Sequence, residues 1–177
     1  MLFRSLSSGT GAGKTVALML ATSIWANPGE HRYLVEVEAT QVGFEVRLDV
    51  LNNLPLMIDD FSKIEDKFKD RFTDLIYMLT SGRGKDRANV DLGLNASKTW
   101  CNATIGAMEK PLTNDSMRGG AINRVLDFAA GDGRIFGEGK EANALVETLK
   151  ENYGMAGREF VRIVQEIELA EQVAMSR

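Results

Sequence analysis

The chain has 177 residues, 44% of them hydrophobic and 26% charged, with a formal net charge of −4. That length fits one domain with a real core, and the composition excludes disorder, collagen-like repeats and a disulfide scaffold. A single cysteine, Cys101, rules out an intrachain disulfide and a cysteine-based zinc site, and the single histidine, His31, leaves no material for a histidine-metal cluster.

Met1 to Leu6 reads as a short strand, apolar at Leu2, Phe3 and Leu6. A glycine-rich loop follows, then a helix from about Lys14 to Trp25 that stops at Asn27-Pro28-Gly29. The apolar run from Val16 to Ala26 is too short to span a bilayer and is a poor signal peptide, so a cytoplasmic protein with no membrane partner is expected. Arg32 to Glu38 alternates as a strand does, and Thr40 is placed to cap a helix toward Asn52 with Val42, Val46 and Val50 along one stripe. Leu54 to Ile58 reads as a buried strand running into Asp59-Asp60.

A long amphipathic helix is expected from about Glu65 to Thr80, then a basic loop from Ser81 to Arg87. Thr99 to Ala107 and Arg124 to Phe128 read as strands, and from about Glu141 the chain is helical with a break at Tyr153 to Gly157. Strands alternating with helices predict an α/β domain with a mainly parallel central sheet flanked by helices. Such sheets place ligands beyond the carboxyl ends of their strands. The expected organisation is a single core over 1–177, with an α/β part at 1–137 and a helical segment at 138–177.

The stretch Ser8-Gly9-Thr10-Gly11-Ala12-Gly13-Lys14-Thr15 matches the phosphate-binding pattern G-x-x-x-x-G-K-[ST] except at its first position, where Ser8 replaces glycine. A triphosphate needs inward backbone N–H groups, little side-chain bulk and a helix N-terminus facing its charge. Gly9, Thr10, Gly11, Ala12 and Gly13 supply the backbone, Lys14 reaches the β- and γ-phosphates, the Thr15 hydroxyl meets Mg²⁺, and Val16 opens the helix. The competing reading is a glycine-rich turn that merely caps a helix. Asp59, at the end of a core strand, fits an acid supporting the Mg²⁺, and Asp60 a base that positions the attacking water. Taken alone, both acids would only mark a strand end.

These residues, together with Asn53 to Asp60, Tyr77-Met78-Leu79 leading into Gly82 to Arg87, Gly120 to Phe128 and Asn152-Tyr153-Gly154, resemble the domain of unknown function 927, a family of phage and mobile-element ATPases similar to superfamily 3 helicases. The resemblance implies an AAA-like P-loop ATPase that forms a ring, expected to be a homo-hexamer, and translocates on or unwinds single-stranded or forked DNA. It also implies a motor core without its usual primase neighbour, and so a fragment of a larger protein. The second acid in related proteins is often glutamate, whereas Asp60 stands here.

Arg83, Lys85 and Arg87 form a positive loop suited to phosphate contacts, and the resemblance likens it to the DNA-gripping hairpin of a ring pore. The plain alternative is a solvated loop or contacts to acids. A ring ATPase needs an arginine from the adjacent subunit near the γ-phosphate, and the resemblance makes Arg124 the first choice and Arg118 the second; a surface salt bridge is the alternative for either. Asn102, Thr104 and Glu109 are candidates for a polar group sensing that phosphate. Trp25 and Trp100 sit in apolar elements, which suits core or interface positions better than base stacking. Three rival readings stand beside the motor: a P-loop phosphotransferase acting on a small molecule, a nucleotide-binding switch with little turnover, and a truncated remnant unable to assemble.

Overall fold

The computed structural model describes residues 3–7, 11–29, 33–35, 40–61, 72–88, 95–112, 119–129, 135–136 and 139–175. Among them are the strands β1 (Phe3–Ser7), β2 (Leu56–Ile58), β3 (Thr104–Met108) and β4 (Val125–Ala129). The helices are α1 (Lys14–Ser23), α2 (Gln41–Leu51), α3 (Phe72–Ser81), α4 (Gly119–Ile122), α5 (Gly139–Glu151) and α6 (Met155–Met175).

The four strands form one sheet in the order β2-β3-β1-β4, parallel throughout. Phe3 aligns with Thr104 and Val125, and Ser7 with Met108 and Ala129, so all carboxyl ends lie together. Val35 adds a parallel bridge to Ile58 at the outer edge; the rest of the expected strand at 32–38, apart from Tyr33 and Leu34, falls outside the described residues.

Strand alternation sorts the apolar side chains onto two faces. Phe3, Leu56 and Ile58 join a core with Phe44 and Leu48 of α2 and Leu75, Ile76 and Leu79 of α3. Met57 and Ala107 face the other way, against Leu18 and Met19 of α1 and Leu149 of α5. Gly106 is required between the layers: a Cβ there would lie 2.9 Å from Phe3 Cζ, where the Phe3 ring packs on Phe61 at 4.8 Å between centroids. Tyr33 lies partly within the second layer, its hydroxyl donating to the Pro55 carbonyl at 2.6 Å, and burial pushes its pKa up to about 12.

Two expectations need correction. Thr40 does cap α2, its hydroxyl accepting from the Gly43 N–H at 3.1 Å, but the valine stripe faces solvent, with Val50 78% exposed. Phe44 and Leu48 bury the opposite face because each removes more apolar area from water than a valine does. The strand expected from Thr99 begins only at Thr104. Residues 97–100 turn back instead on the basic segment, Trp100 N–H donating to Gly82 O at 3.0 Å and Gly84 N–H to Lys98 O at 2.8 Å, while the Trp100 indole enters the core and donates to Leu79 O.

The break at Tyr153 to Gly157 serves a contact. Gly154 and Gly157 donate their N–H groups to Ser23 O at 2.7 Å and Ile24 O at 2.8 Å, closing the open carbonyls at the end of α1. Trp25 packs edge-on against Phe160 of α6. Among the described residues no helix is long and apolar enough to cross a membrane.

Candidate functional site

A cleft of about 440 Å³ opens at the carboxyl end of the sheet. Its floor is Gly11 to Val16. Gly11 and Gly13 have φ values of 80° and 94°, a region that glycine enters without steric cost. Gly13 is also the N-cap of α1, so the helix starts directly at Lys14 with its N-terminus at the cleft. The segment at 135–136 presses on this loop: Ile135 N–H donates to Ala12 O at 2.8 Å, and a Cβ on Gly13 would lie 3.0 Å from Phe136 Cδ2. Ser8, Gly9 and Thr10 lie outside the described residues.

Asp59 and Asp60 border the cleft at the end of β2. Val35 holds the turn by accepting from Asp59 N–H at 3.2 Å, and Asp59 Oδ1 accepts from Asp60 N–H at 3.0 Å. Asp60 adopts φ 50°, a left-handed conformation uncommon for a residue other than glycine. Such backbone is maintained where the surroundings dictate it, often at working sites. Met108 and Glu109 complete the border from β3, and Gly139, Ala142 and Asn143 from α5.

Among the described residues no group of three or more histidine, cysteine, aspartate or glutamate side chains is arranged for a metal. The cleft does bring the Thr15 hydroxyl and the Asp59 carboxylate to one border. Two hard oxygen donors suit a Mg²⁺ that keeps water and takes further oxygens from an anionic ligand, and they do not suit a soft metal.

Other candidates lie elsewhere. Thr104 starts β3, at the amino end of the sheet, and Asn102 precedes it; both are buried without hydrogen-bond partners for their side chains. Of the three sensor candidates only Glu109 borders the cleft, since the late start of β3 leaves the other two at the wrong end. Arg124 also sits at the amino end, its Nη1 donating to Gly120 O at 2.6 Å and its guanidinium 4.9 Å from the centre of the Tyr77 ring. Arg118 lies outside the described residues.

The basic segment is one arm of a hairpin-like pair, since Asn95 N–H also donates to Arg87 O at 2.8 Å. Two of its three cations are engaged within the chain. Arg83 meets Asp86 at 2.7 Å, and hydrogen bonds from Ser97 and Arg83 hold the Asp86 carboxyl below its ordinary range. Arg87 meets the fully buried Glu45 side chain of α2 at 2.6 Å, and that bond raises the guanidinium pKa. Lys98 joins Asp49 at 2.9 Å and binds the second arm to the same helix. Lys85 is exposed.

Residues 2–99 match the family described as Domain of unknown function (DUF927). The chain belongs to that family. It also shares the fold of a solved structure titled "SCCmec type IV Cch - active helicase", with a TM-score of 0.73 and 22% sequence identity over 96% of this chain and 30% of that one. The chain thus spans less than a third of that helicase's length. Comparison with curated proteins gives no match.

The glycine loop and the paired acids were visible in the sequence as motifs. The α5 contribution was not: Gly139, Ala142 and Asn143 lie more than a hundred positions from the loop in a helix without a motif, and only packing of α5 on α1 brings them to it.

Proposed function

We propose that this domain is a P-loop ATPase that hydrolyses Mg·ATP to drive translocation on, or unwinding of, DNA, as the motor core of a mobile-element helicase. The observation that carries the reading is the convergence of Gly11 to Val16 with Asp59 and Asp60 on one cleft at the carboxyl end of a parallel sheet. The similarity in fold to a structure titled as an active helicase supports the motor part of it.

The backbone from Gly9 to Gly13 and the start of α1 cradle the phosphates, and the Lys14 ammonium lies against their charge. Thr15 and Asp59 would hold a Mg²⁺, which would supply neutralisation of the phosphate oxygens. Asp60 orients a water and takes its proton as the water oxygen bonds to the γ-phosphorus. The bond from that phosphorus to the β–γ bridging oxygen breaks, giving ADP and inorganic phosphate. Assembly is a homo-oligomeric ring, a hexamer, in which Arg124 leaves Gly120 and Tyr77 to complete a neighbour's site. DNA contact passes first through the exposed Lys85, because Arg83 and Arg87 hold the hairpin in shape.

A second reading has one observation in its favour. A cavity of about 380 Å³ adjoins Thr15 and Asp59 and has apolar walls at Met19, Pro28, Leu34 and Val146. Transfer of phosphate to a small acceptor seated there would make the domain a phosphotransferase.

ATP hydrolysis by the purified chain, with and without single-stranded DNA and beside Lys14→Ala, separates these. DNA-stimulated turnover that falls by about 100-fold or more in Lys14→Ala is expected, since the ammonium is the main positive side chain offered to the phosphates. Turnover indifferent to DNA would favour the phosphotransferase, and ATP binding without turnover a nucleotide switch.

A further inference from the structure

The cleft border carries three carboxylates, Asp59, Asp60 and Glu109, against one ammonium, Lys14. A terminal phosphate placed among them is repelled from the acidic side as its charge develops, and hydrogen-bond donors are the remedy available to a protein. Among the described lining residues, the side chains with donors are Lys14, Thr15 and Asn143. Lys14 is taken up by the existing phosphate charge and Thr15 by the metal in the reading above, which leaves the Asn143 amide.

The helix that carries that amide is well anchored. Gly139, Ala142 and Asn143 share one face of α5 at helical spacing, and the first two are small enough to leave room beside it. One turn further on, Leu145, Val146 and Leu149 pack with Leu18 and Met19 of α1. Beyond the end of α5, Gly154 and Gly157 bond to the last carbonyls of α1. The helix bearing Lys14 and Thr15 and the helix bearing Asn143 are therefore joined along their length and at one end.

We infer that Asn143 is a catalytic residue of the proposed ATPase, its Nδ2 donating to an oxygen of the γ-phosphate as negative charge builds there. This rests on the ATPase reading and adds to it a donor from α5, in place of the Asn102 amide, which precedes β3 at the wrong end of the sheet.

Steady-state hydrolysis and equilibrium binding of a fluorescent ATP analogue test it on wild type, Asn143→Ala, Asn143→Asp and Asn143→Gln, with melting temperatures as a control. Asn143 is exposed, so folding is expected to survive each change. In Asn143→Ala, kcat should fall on the order of 100-fold while nucleotide affinity stays within about threefold. Asn143→Asp, which adds a fourth carboxylate, should weaken binding as well, and Asn143→Gln should recover part of the lost kcat. Wild-type kcat in Asn143→Ala, or equal losses in Asp and Ala that track a lowered melting temperature, overturns the inference while leaving the ATPase standing. A wild-type chain that binds no ATP overturns the underlying reading, and this one with it.

Discussion

At the carboxyl end of the sheet, Lys14, Thr15, Asp59, Asp60 and Glu109 border one cleft. At the amino end, about 17 Å away along a five-residue strand, Arg124 is held by Gly120 and Tyr77, and Asn102 and Thr104 are buried without partners. Chemically similar side chains thus serve different ends, and strand direction decides which. A parallel sheet opens its loops toward its own ligand at the carboxyl end; within one chain, polar groups at the other end are taken up by packing. The basic hairpin, which feeds into the start of β3, belongs to the amino end as well, and its ion pairs to α2 fit that division.

Two residues of positive φ give the sharpest way to break the comparison. Asp60 has φ 50° at the carboxyl end, and Asn52 has φ 47° at the C-cap of α2, before β2 begins. Glycine takes this conformation freely, so Asp60→Gly and Asn52→Gly should each leave stability within about 1 kcal/mol of the parent by chemical denaturation. Their effects on turnover should diverge. Loss of the proposed base in Asp60→Gly is expected to lower ATP hydrolysis by roughly 100-fold or more, and Asn52→Gly to leave it unchanged. Equal turnover in the two variants would remove Asp60 from the proposed chemistry.

Much of the carboxyl end was legible because its signals are local. Gly-Lys-Thr, the apolar run into Asp59-Asp60 and the Thr40 cap each declare themselves within a few residues. The amino end was harder to read. Thr99 and Trp100 are strand-forming residues, yet tertiary contacts take Trp100 into the core and pair 98–100 with the basic arm. On α2, two apolar stripes lie on opposite faces, and only the presence of a core tells which is buried. Nothing local marks Asn143, whose place at the cleft follows from long-range packing of α5.

That packing has its own test, smaller in effect. A Cβ on Gly157 would lie 2.5 Å from Ile24 O and 2.7 Å from Trp25 Cε3. Backbone cannot yield there as a flexible side chain would, so Gly157→Ala should destabilise the fold by about 2 kcal/mol, read as a lower denaturation midpoint. If α5 is positioned through this junction, hydrolysis should drop with it even at temperatures where the variant is folded. Gly119→Ala, at the start of α4 and away from the cleft, meets nothing within 4 Å and serves as the control, with only the general effect of a better helix former.

The smallest expected effect probes the amino end directly. Thr104 is 2% exposed, and its hydroxyl has no hydrogen-bond partner where β3 aligns with Phe3 and Leu56. Burying an unmade hydrogen bond costs free energy, so replacing that hydroxyl by a methyl group should stabilise the fold by about 1 kcal/mol. Thr104→Val is expected to raise the denaturation midpoint and leave ATP hydrolysis at the parent rate. A lower midpoint would mean that the hydroxyl is paired after all, through a buried water shared with Asn102, and that the amino end has a polar network of its own. A changed rate at unchanged stability would be more damaging, because it would carry influence from the start of β3 to Glu109 at its far end and dissolve the division between the two ends.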